Sequence, residues 1–302
     1  MLKEFYVEKK ALISEDAWKR MISVIRSSIE QTPKGEEVTP ALLAEEVVRA
    51  VKERIPSEKF GVLFSGGVDS SLIALILKQA GCEFICYTLG FKNEDTKEPE
   101  DVEAAEKTAK LLGLTLKKKI LDVQEAEELI AKTVKILGPE LNNVVNVGVA
   151  GVELGCIEMA KEDGVEYLFT GLGSEEIFAG YERHKLAADA HEECWKGLLA
   201  MYGRDLLRDN AIAKSERIAF MTPFLDHKLI AEAMRIPAEQ KISQEHSKLI
   251  LRQVAEKLGL PKEAAWRKKR AAQYGSRLDK AIDKIARKKG FGFKKDYLKS
   301  LE

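Results

Sequence analysis

Between residues 60 and 170, short apolar runs alternate with helix-patterned segments, and this restricts the fold more than any other feature of the chain. Residues 60–64 (Phe-Gly-Val-Leu-Phe) and 84–89 are apolar runs of strand length, and 115–121 and 165–170 read as a third and a fourth strand. Helical stretches follow at about 70–79, 101–112 and 123–162. Strands buried on both faces read as continuous apolar runs, and the helices between them supply the crossovers that parallel pairing needs. The expectation is an α/β fold: a parallel twisted sheet with helical N- and C-terminal additions. Ligands in such sheets bind beyond the carboxyl ends of the strands, so the residues around Phe64, Leu89 and Thr170 are the first candidates for chemistry.

Upstream, Trp18, Met21, Ile22 and Ile25 recur at helical spacing, as do Leu42, Leu43, Val47 and Val51. Pro33, Lys34 and Gly35 separate these two helices, and Pro56 closes the second. Beyond about residue 190 the chain reads as helical to its end, with no strand. The expected division is an N-terminal helical segment at 1–59, an α/β unit at 60–190 and a helical C-terminal part at 191–302 that completes the site. At 302 residues and 45% hydrophobic, the chain can build a sizeable core.

Lysine plus arginine and aspartate plus glutamate both number 49, so the net charge of zero gives no reason to expect nucleic acid or an acidic membrane. No stretch has the roughly 18 apolar residues of a membrane span. Residues 144–157 come nearest but contain Asn146 and Glu153. The first ten residues lack the apolar centre of a signal peptide. Cys82, Cys86, Cys156 and Cys194 form no Cys-x-x-Cys pair, so buried thiols are expected rather than a disulfide framework or a zinc site. The chain reads as a soluble cytoplasmic protein.

The sharpest local feature is Ser65-Gly66-Gly67-Val68-Asp69-Ser70-Ser71, between the first strand and its helix. Two glycines let the backbone turn and bring its N–H groups close to an anion. The helix N-terminus and the hydroxyls of Ser65, Ser70 and Ser71 add donors, a composition suited to a phosphate-rich ligand. The string lacks the Gly-Lys-Ser/Thr of a Walker A loop and is not Gly-x-Gly-x-x-Gly. A second string, residues 170–184 (Thr-Gly-Leu-Gly-Ser-Glu-Glu-Ile-Phe-Ala-Gly-Tyr-Glu-Arg-His), follows the fourth strand. His184 and His191 read as residues of a helix surface.

The first string resembles the Ser-Gly-Gly-x-Asp-Ser fingerprint of the PP-loop family of N-type ATP pyrophosphatases, whose fold is adenine nucleotide alpha hydrolase-like, a Rossmann-like sheet. The second resembles the Ser-Gly-Glu-Gly-Ser-Asp-Glu-x-Phe-x-Gly-Tyr segment of the synthetase domains of asparagine synthetase and β-lactam synthetase. Residues 223–226 (Pro-Phe-Leu-Asp), 248–252 (Lys-Leu-Ile-Leu-Arg) and 266–269 (Trp-Arg-Lys-Lys) follow in the family's order. The resemblance covers about residues 60–275.

The likeness implies an ATP-dependent, AMP- and pyrophosphate-forming amide ligase, an ATP-binding α/β unit and the cofactors ATP and Mg2+. A carboxylate attacks the α-phosphate, and ammonia then displaces AMP from the acyl-adenylate. Asp69 and Glu175 match carboxylates on Mg2+, with Asp69 also catalytic. Arg267 and Lys269 match the family's catalytic Arg-x-Lys, the lysine facing the α-phosphate. Phe64, Leu89, Thr170 and Gly171 match positions around the adenosine, and Ser65, Gly66, Gly67, Asp69, Ser70 and Ser71 form the phosphate loop.

Three departures stand beside the likeness. No glutaminase domain precedes the loop, so the expected ammonia source is free ammonia or a separate glutaminase subunit. Glu175 stands where the family has aspartate. Leu172 replaces the glutamate of Gly-Glu-Gly-Ser, which points away from aspartate as the carboxylate substrate. A homodimer is a further expected partner, and no membrane is. An alternative reading is a tRNA-modifying PP-loop enzyme that adenylates an RNA base. It draws on residues 267–295, where 12 lysines and arginines face only Asp279 and Asp283, a net of +10. A third is a nucleotide sensor without turnover, suggested by Leu172.

Overall fold

The computed structural model describes residues 4–8, 11–31, 38–94, 98–268 and 271–302. The break expected at Pro33, Lys34 and Gly35, and the candidate Lys269, lie outside the described residues.

A short antiparallel hairpin, β1 (Val7–Glu8) and β2 (Ala11–Leu12), precedes the two expected helices α1 (Glu15–Glu30) and α2 (Pro40–Lys52). The Ser14 hydroxyl caps α1 by accepting from the Ala17 amide, and Thr39 caps α2 ahead of Pro40. The central chain then runs β3 (Phe60–Leu63), α3 (Val68–Gln79), β4 (Ile85–Phe91), α4 (Glu100–Leu112), β5 (Leu116–Leu121), α5 (Val123–Leu141), α6 (Val144–Glu162) and β6 (Tyr167–Phe169). Gly138, at φ +65° ahead of Pro139, breaks the last turn of α5.

The sheet has the order β5-β4-β3-β6 and continues to a fifth strand, β7 (Ala219–Met221), all neighbours parallel. β7 corrects the expectation of no strand after residue 190. It pairs Leu168 with Phe220 and Phe169 with Met221. Three residues are too few to show a strand period, and the partner β6 is itself that short. The sheet therefore draws on both sides of residue 190.

Successive residues on a strand feed opposite faces. Cys86 and Phe169 join the core that holds Trp18, Val47, Leu72 and Leu251, while Tyr87 and Leu168 join the core of Leu129, Val147, Leu154 and Ile282. The N-terminal helices thus pack on one face of the sheet, and α5, α6 and the late helix Leu278–Lys288 cover the other. Trp18, fully buried, donates its indole N–H to the Leu198 carbonyl at 2.9 Å. Arg54 ties the N-terminal segment to the 223–226 string by pairing with Glu4 (2.9 Å) and Asp226 (3.2 Å). Asp226 caps the helix His227–Arg235, and Arg49 and Arg54 beside it outweigh burial and hold its carboxyl below the ordinary range.

Chain order reverses at β3, since β4 lies on one side and β6 on the other. That is the topological switch point, and the turns after β3 and β6 open side by side there.

Candidate functional site

Residues 64–67 leave β3 in a turn that no side chain at position 66 would permit. Gly66 has φ +65°, and a Cβ there would lie 2.5 Å from the Ala104 carbonyl oxygen of α4. Gly67 then starts α3, whose first turn carries Asp69. The loop is held by its own hydroxyls: the Ser65 amide donates to Ser70 Oγ at 3.3 Å and the Gly67 amide to Ser65 Oγ at 3.4 Å. Ser65, Asp69 and Ser70 face the cavity at the switch point. Ser71 does not join them. It is fully buried on α3, and its hydroxyl has no hydrogen-bond partner among the described residues.

Opposite the loop, Thr170 and Gly171 leave β6, and Glu175 lies on the short helix Ser174–Ile177. Glu175 and Asp69 are brought together by a residue to which the sequence assigned no role. The Lys248 Nζ donates to both Asp69 carboxylate oxygens at 2.8 Å, to Ser174 Oγ at 3.0 Å, and pairs with Glu175 Oε1 at 2.7 Å. Burial alone would lower the ammonium's pKa, but Asp69 and Glu175 outweigh it and hold it above the ordinary lysine value. Lys248 also adopts φ +56°, unusual for a residue with a side chain, at the N-terminus of the helix Leu249–Lys257. Such strain persists only where the surroundings fix it, and it clusters at functional sites. Gly180 permits the approach: a Cβ there would lie 1.7 Å from Glu175 Oε2 and 2.4 Å from Lys248 Cε.

Arg267 reaches the loop from the far C-terminal part. Its Nη1 donates to the Ser65 carbonyl at 3.0 Å and its Nη2 to Asp101 Oδ1 at 3.0 Å and the Glu100 carbonyl at 3.1 Å. The guanidinium is thus directed at the loop backbone and the start of α4. Arg252 holds the segment that carries Arg267, donating to the carbonyls of Ser247, Ala265 and Arg267. Lys248 and Arg252 bound the 248–252 string on which the family resemblance partly rests, and Asp101 carried no sequence signal. Lys268, the neighbour of Lys269, lines the cavity.

The cavity holds about 900 Å3, at the upper end of the usual range for small-molecule sites. Phe64, Leu89, Thr170 and Gly171 line one part of it together with Ser65, Asp69, Ser70 and Glu175. Gly66, Gly67 and Arg267 are not among its lining residues. Leu172 faces the cavity from the turn after β6, with Val145, Val149 and Val152 of α6 also on its wall. Beyond them lie Glu153, Asp205 and Arg208. Arg208 donates to Asp209 at 2.7 Å and to Asp205 at 3.0 Å.

His184 corrects its reading as a surface residue. It is buried, its Nδ1 accepts the Tyr181 amide at 3.1 Å, and burial pushes its pKa down to about 4. The short helix Glu182–Leu186 hides it beneath the chain's return into helix Ala190–Met201, a tertiary effect without a local pattern. His191 is half-buried and accepts from Trp195 Nε1 at 3.2 Å. No group of three or more metal-binding side chains occurs among the described residues, and no described helix is long and apolar enough to cross a membrane.

Comparison with known proteins matches residues 42–193 and 185–290 to the asparagine synthase family. A protein of Methanocaldococcus jannaschii bearing the name glutamine-hydrolysing asparagine synthetase 1 is 34% identical over 276 residues, covering 79% of this chain and 49% of that protein. Asparagine synthetase B of Escherichia coli is 30% identical over 243 residues, covering 73% and 42% respectively. The human asparagine synthetase is 30% identical over 236 residues, covering 75% and 41%. The chain spans about half the length, or less, of these relatives.

Proposed function

Because the chain belongs to the asparagine synthase family, we propose that it activates a carboxylate with ATP, releasing pyrophosphate, and passes the acyl group from AMP to ammonia. The observation that carries this reading is the Asp69–Lys248–Glu175 cluster, set against the glycine turn at the sheet's switch point.

Pyrophosphate departure builds negative charge between the α- and β-phosphates, and fixed donors and cations at that place lower the barrier. The N-terminus of α3 offers N–H groups. Lys248 offers a buried ammonium, and Lys269 would add the cation that the family resemblance sets against the α-phosphate. Asp69 and Glu175 suit Mg2+: both are hard oxygen donors, and this ion commonly takes one or two carboxylates together with substrate phosphates. These two carboxylates would hold it, and the ion would neutralise phosphate charge. Phe64, Leu89, Thr170 and Gly171 would enclose the adenosine, and the carboxylate substrate would lie toward Leu172 and the α6 wall. Arg267 fits a positioning role, since its guanidinium grips the loop backbone.

The ammonia source belongs to the same proposal: free ammonia or a separate glutaminase subunit. The tRNA reading draws less support, because cations of the basic stretch are engaged by acids. Lys294 pairs with Asp279, Arg287 with Asp283 and Lys289 with Glu127.

The test is carboxylate-dependent exchange of labelled pyrophosphate into ATP, with Mg2+ and a panel of amino acids and aliphatic mono- and dicarboxylates. Exchange with at least one carboxylate is expected, followed by amide and AMP when ammonium chloride is added. Absence of exchange across the panel would overturn the reading.

A further inference from the structure

Amide formation from an acyl-adenylate needs a proton acceptor, because the attacking nitrogen becomes cationic as it bonds to the acyl carbon. Seven carboxylate residues line the cavity among the described residues: Asp69, Asp101, Glu153, Glu175, Glu182, Asp205 and Glu245. Asp69 and Glu175 hold Lys248, and Asp101 holds Arg267. Asp205 is gripped through one oxygen by Arg204 and through the other by Arg208. Glu182 and Glu245 extend into solvent, with side chains 74% and 84% exposed. Glu153 differs from all six. Its side chain is 12% exposed, and its Oε2 is buried without a hydrogen-bond partner among the described residues.

The surroundings of Glu153 suit a proton acceptor. Its carboxyl and that of Asp209 face the same Arg208 guanidinium, and a proton held between the two carboxyls relieves their repulsion. Arg208, buried, clamps Asp209 and Asp205, while its nearest nitrogen stays 3.9 Å from Glu153 Oε1. The guanidinium therefore fixes the pair without closing off Glu153. Burial and the charges of Asp209 and Asp205 outweigh Arg208 and raise the Glu153 carboxyl well above its ordinary range. Burial likewise raises the Asp209 carboxyl above its ordinary range. Leu172, Val149 and Val152 make the adjoining wall apolar, which favours a neutral amine over ammonium at this end of the cavity.

We propose that Glu153 is the catalytic base of the amine-transfer step. The amine nitrogen bonds to the acyl carbon, the bond from that carbon to the phosphate oxygen breaks, and AMP leaves with the electron pair. The nitrogen's proton passes to Glu153 Oε2, and the proton that Glu153 shares with Asp209 moves onto Asp209. Arg208 is a positioning residue for this pair.

The inference rests on the proposed function, and one experiment separates the two. Glu153→Gln keeps the size of the side chain and removes its basicity. With the carboxylate that gives the strongest wild-type pyrophosphate exchange, the variant is expected to retain exchange within about threefold. Its rate of amide formation from ammonium chloride should fall at least about 100-fold, the lower range for losing a general base. Hydroxylamine, which yields a far more acidic conjugate acid, should show a smaller defect in hydroxamate formation. Unchanged amide formation overturns the proposal. So does a variant in which exchange and amide formation fall together, because that is the mark of a structural role. Equal defects with ammonia and hydroxylamine also overturn it. A wild-type protein silent in exchange would instead remove the functional reading, and this inference with it.

Discussion

The Lys248 ammonium lies 2.8 Å from both oxygens of the Asp69 carboxylate, although 179 residues separate the two in sequence. With Glu175 on its other side at 2.7 Å, one cation holds together the first turn of α3 and the turn after β6. Those are the two edges of the switch-point crevice. Nucleotide phosphate and Mg2+ would compete for the same three side chains, so ligand binding here amounts to exchanging one set of ion pairs for another.

Replacing Lys248 by methionine should therefore have two opposite effects. Pyrophosphate exchange should fall at least about 100-fold, the scale for removing a group that stabilises developing charge. The freed carboxylates should bind Mg2+ more readily, so millimolar Mg2+ should raise the melting temperature of Lys248→Met more than that of the wild type. A variant whose melting temperature ignores Mg2+ would argue against Asp69 and Glu175 as the metal carboxylates.

Gly180→Ala tests the same cluster through the backbone. The added methyl would meet Glu175 Oε2 at 1.7 Å and Lys248 Cε at 2.4 Å, so the carboxylate has to swing away. Losing a charge-assisted contact is worth about 1.5–3 kcal/mol, or tenfold and more in rate. Exchange activity should fall by at least about tenfold. An alanine variant with wild-type exchange would show that Glu175 need not hold this place.

The strand runs at 60–64 and 84–89 were legible because those strands are almost wholly buried and so are apolar nearly throughout, whereas β5 carries Lys117, Lys118 and Lys119 on a partly exposed strand. The loop from Ser65 to Ser71 was legible because its chemistry is local: glycine for the turn, hydroxyls and a helix end for the anion. The β7 strand was not, since it contributes three residues and its partner is remote. Lys248 could be seen as a member of a string, but not as the ion that joins Asp69 to Glu175, because 179 residues separate it from Asp69 in sequence. Glu153 was hidden differently. It sits on α6 among Val149, Val152 and Leu154, so the sequence shows one acid interrupting the apolar run 144–157, and only the cavity shows that the acid faces inward.

Arg267 was read from sequence as catalytic, and the geometry favours a grip on the loop. Arg267→Lys cannot reach the Ser65 carbonyl, the Glu100 carbonyl and Asp101 together, because lysine presents a point charge and not a planar fork. In the exchange assay the variant should raise KM for ATP by a larger factor than it lowers kcat, as a loosened binding loop does. A fall in kcat with KM unchanged would restore the catalytic assignment.

Lys241 offers a prediction that tests the packing of the C-terminal part apart from any activity. Its side chain is fully buried, and its Nζ has the Met234 sulfur at 3.8 Å as its hydrogen-bond partner. Burial pushes its pKa from 10.5 down to about 8, only partly offset by Cys194. A folded-state value below the unfolded one means that the charged form is penalised on folding. The penalty is complete below about pH 8 and vanishes as the pH rises past 10.5, so this group adds stability across that interval. Lys241→Met keeps the volume and removes the charge. It should stabilise the protein at pH 7 by on the order of 2 kcal/mol, a rise of several degrees in melting temperature. The gain should shrink as the pH approaches 10, where the wild-type lysine is already largely neutral. Melting curves of both proteins at pH 7 and pH 10 decide it: a lower melting temperature for Lys241→Met at pH 7 would show that the ammonium contributes a favourable contact in the fold.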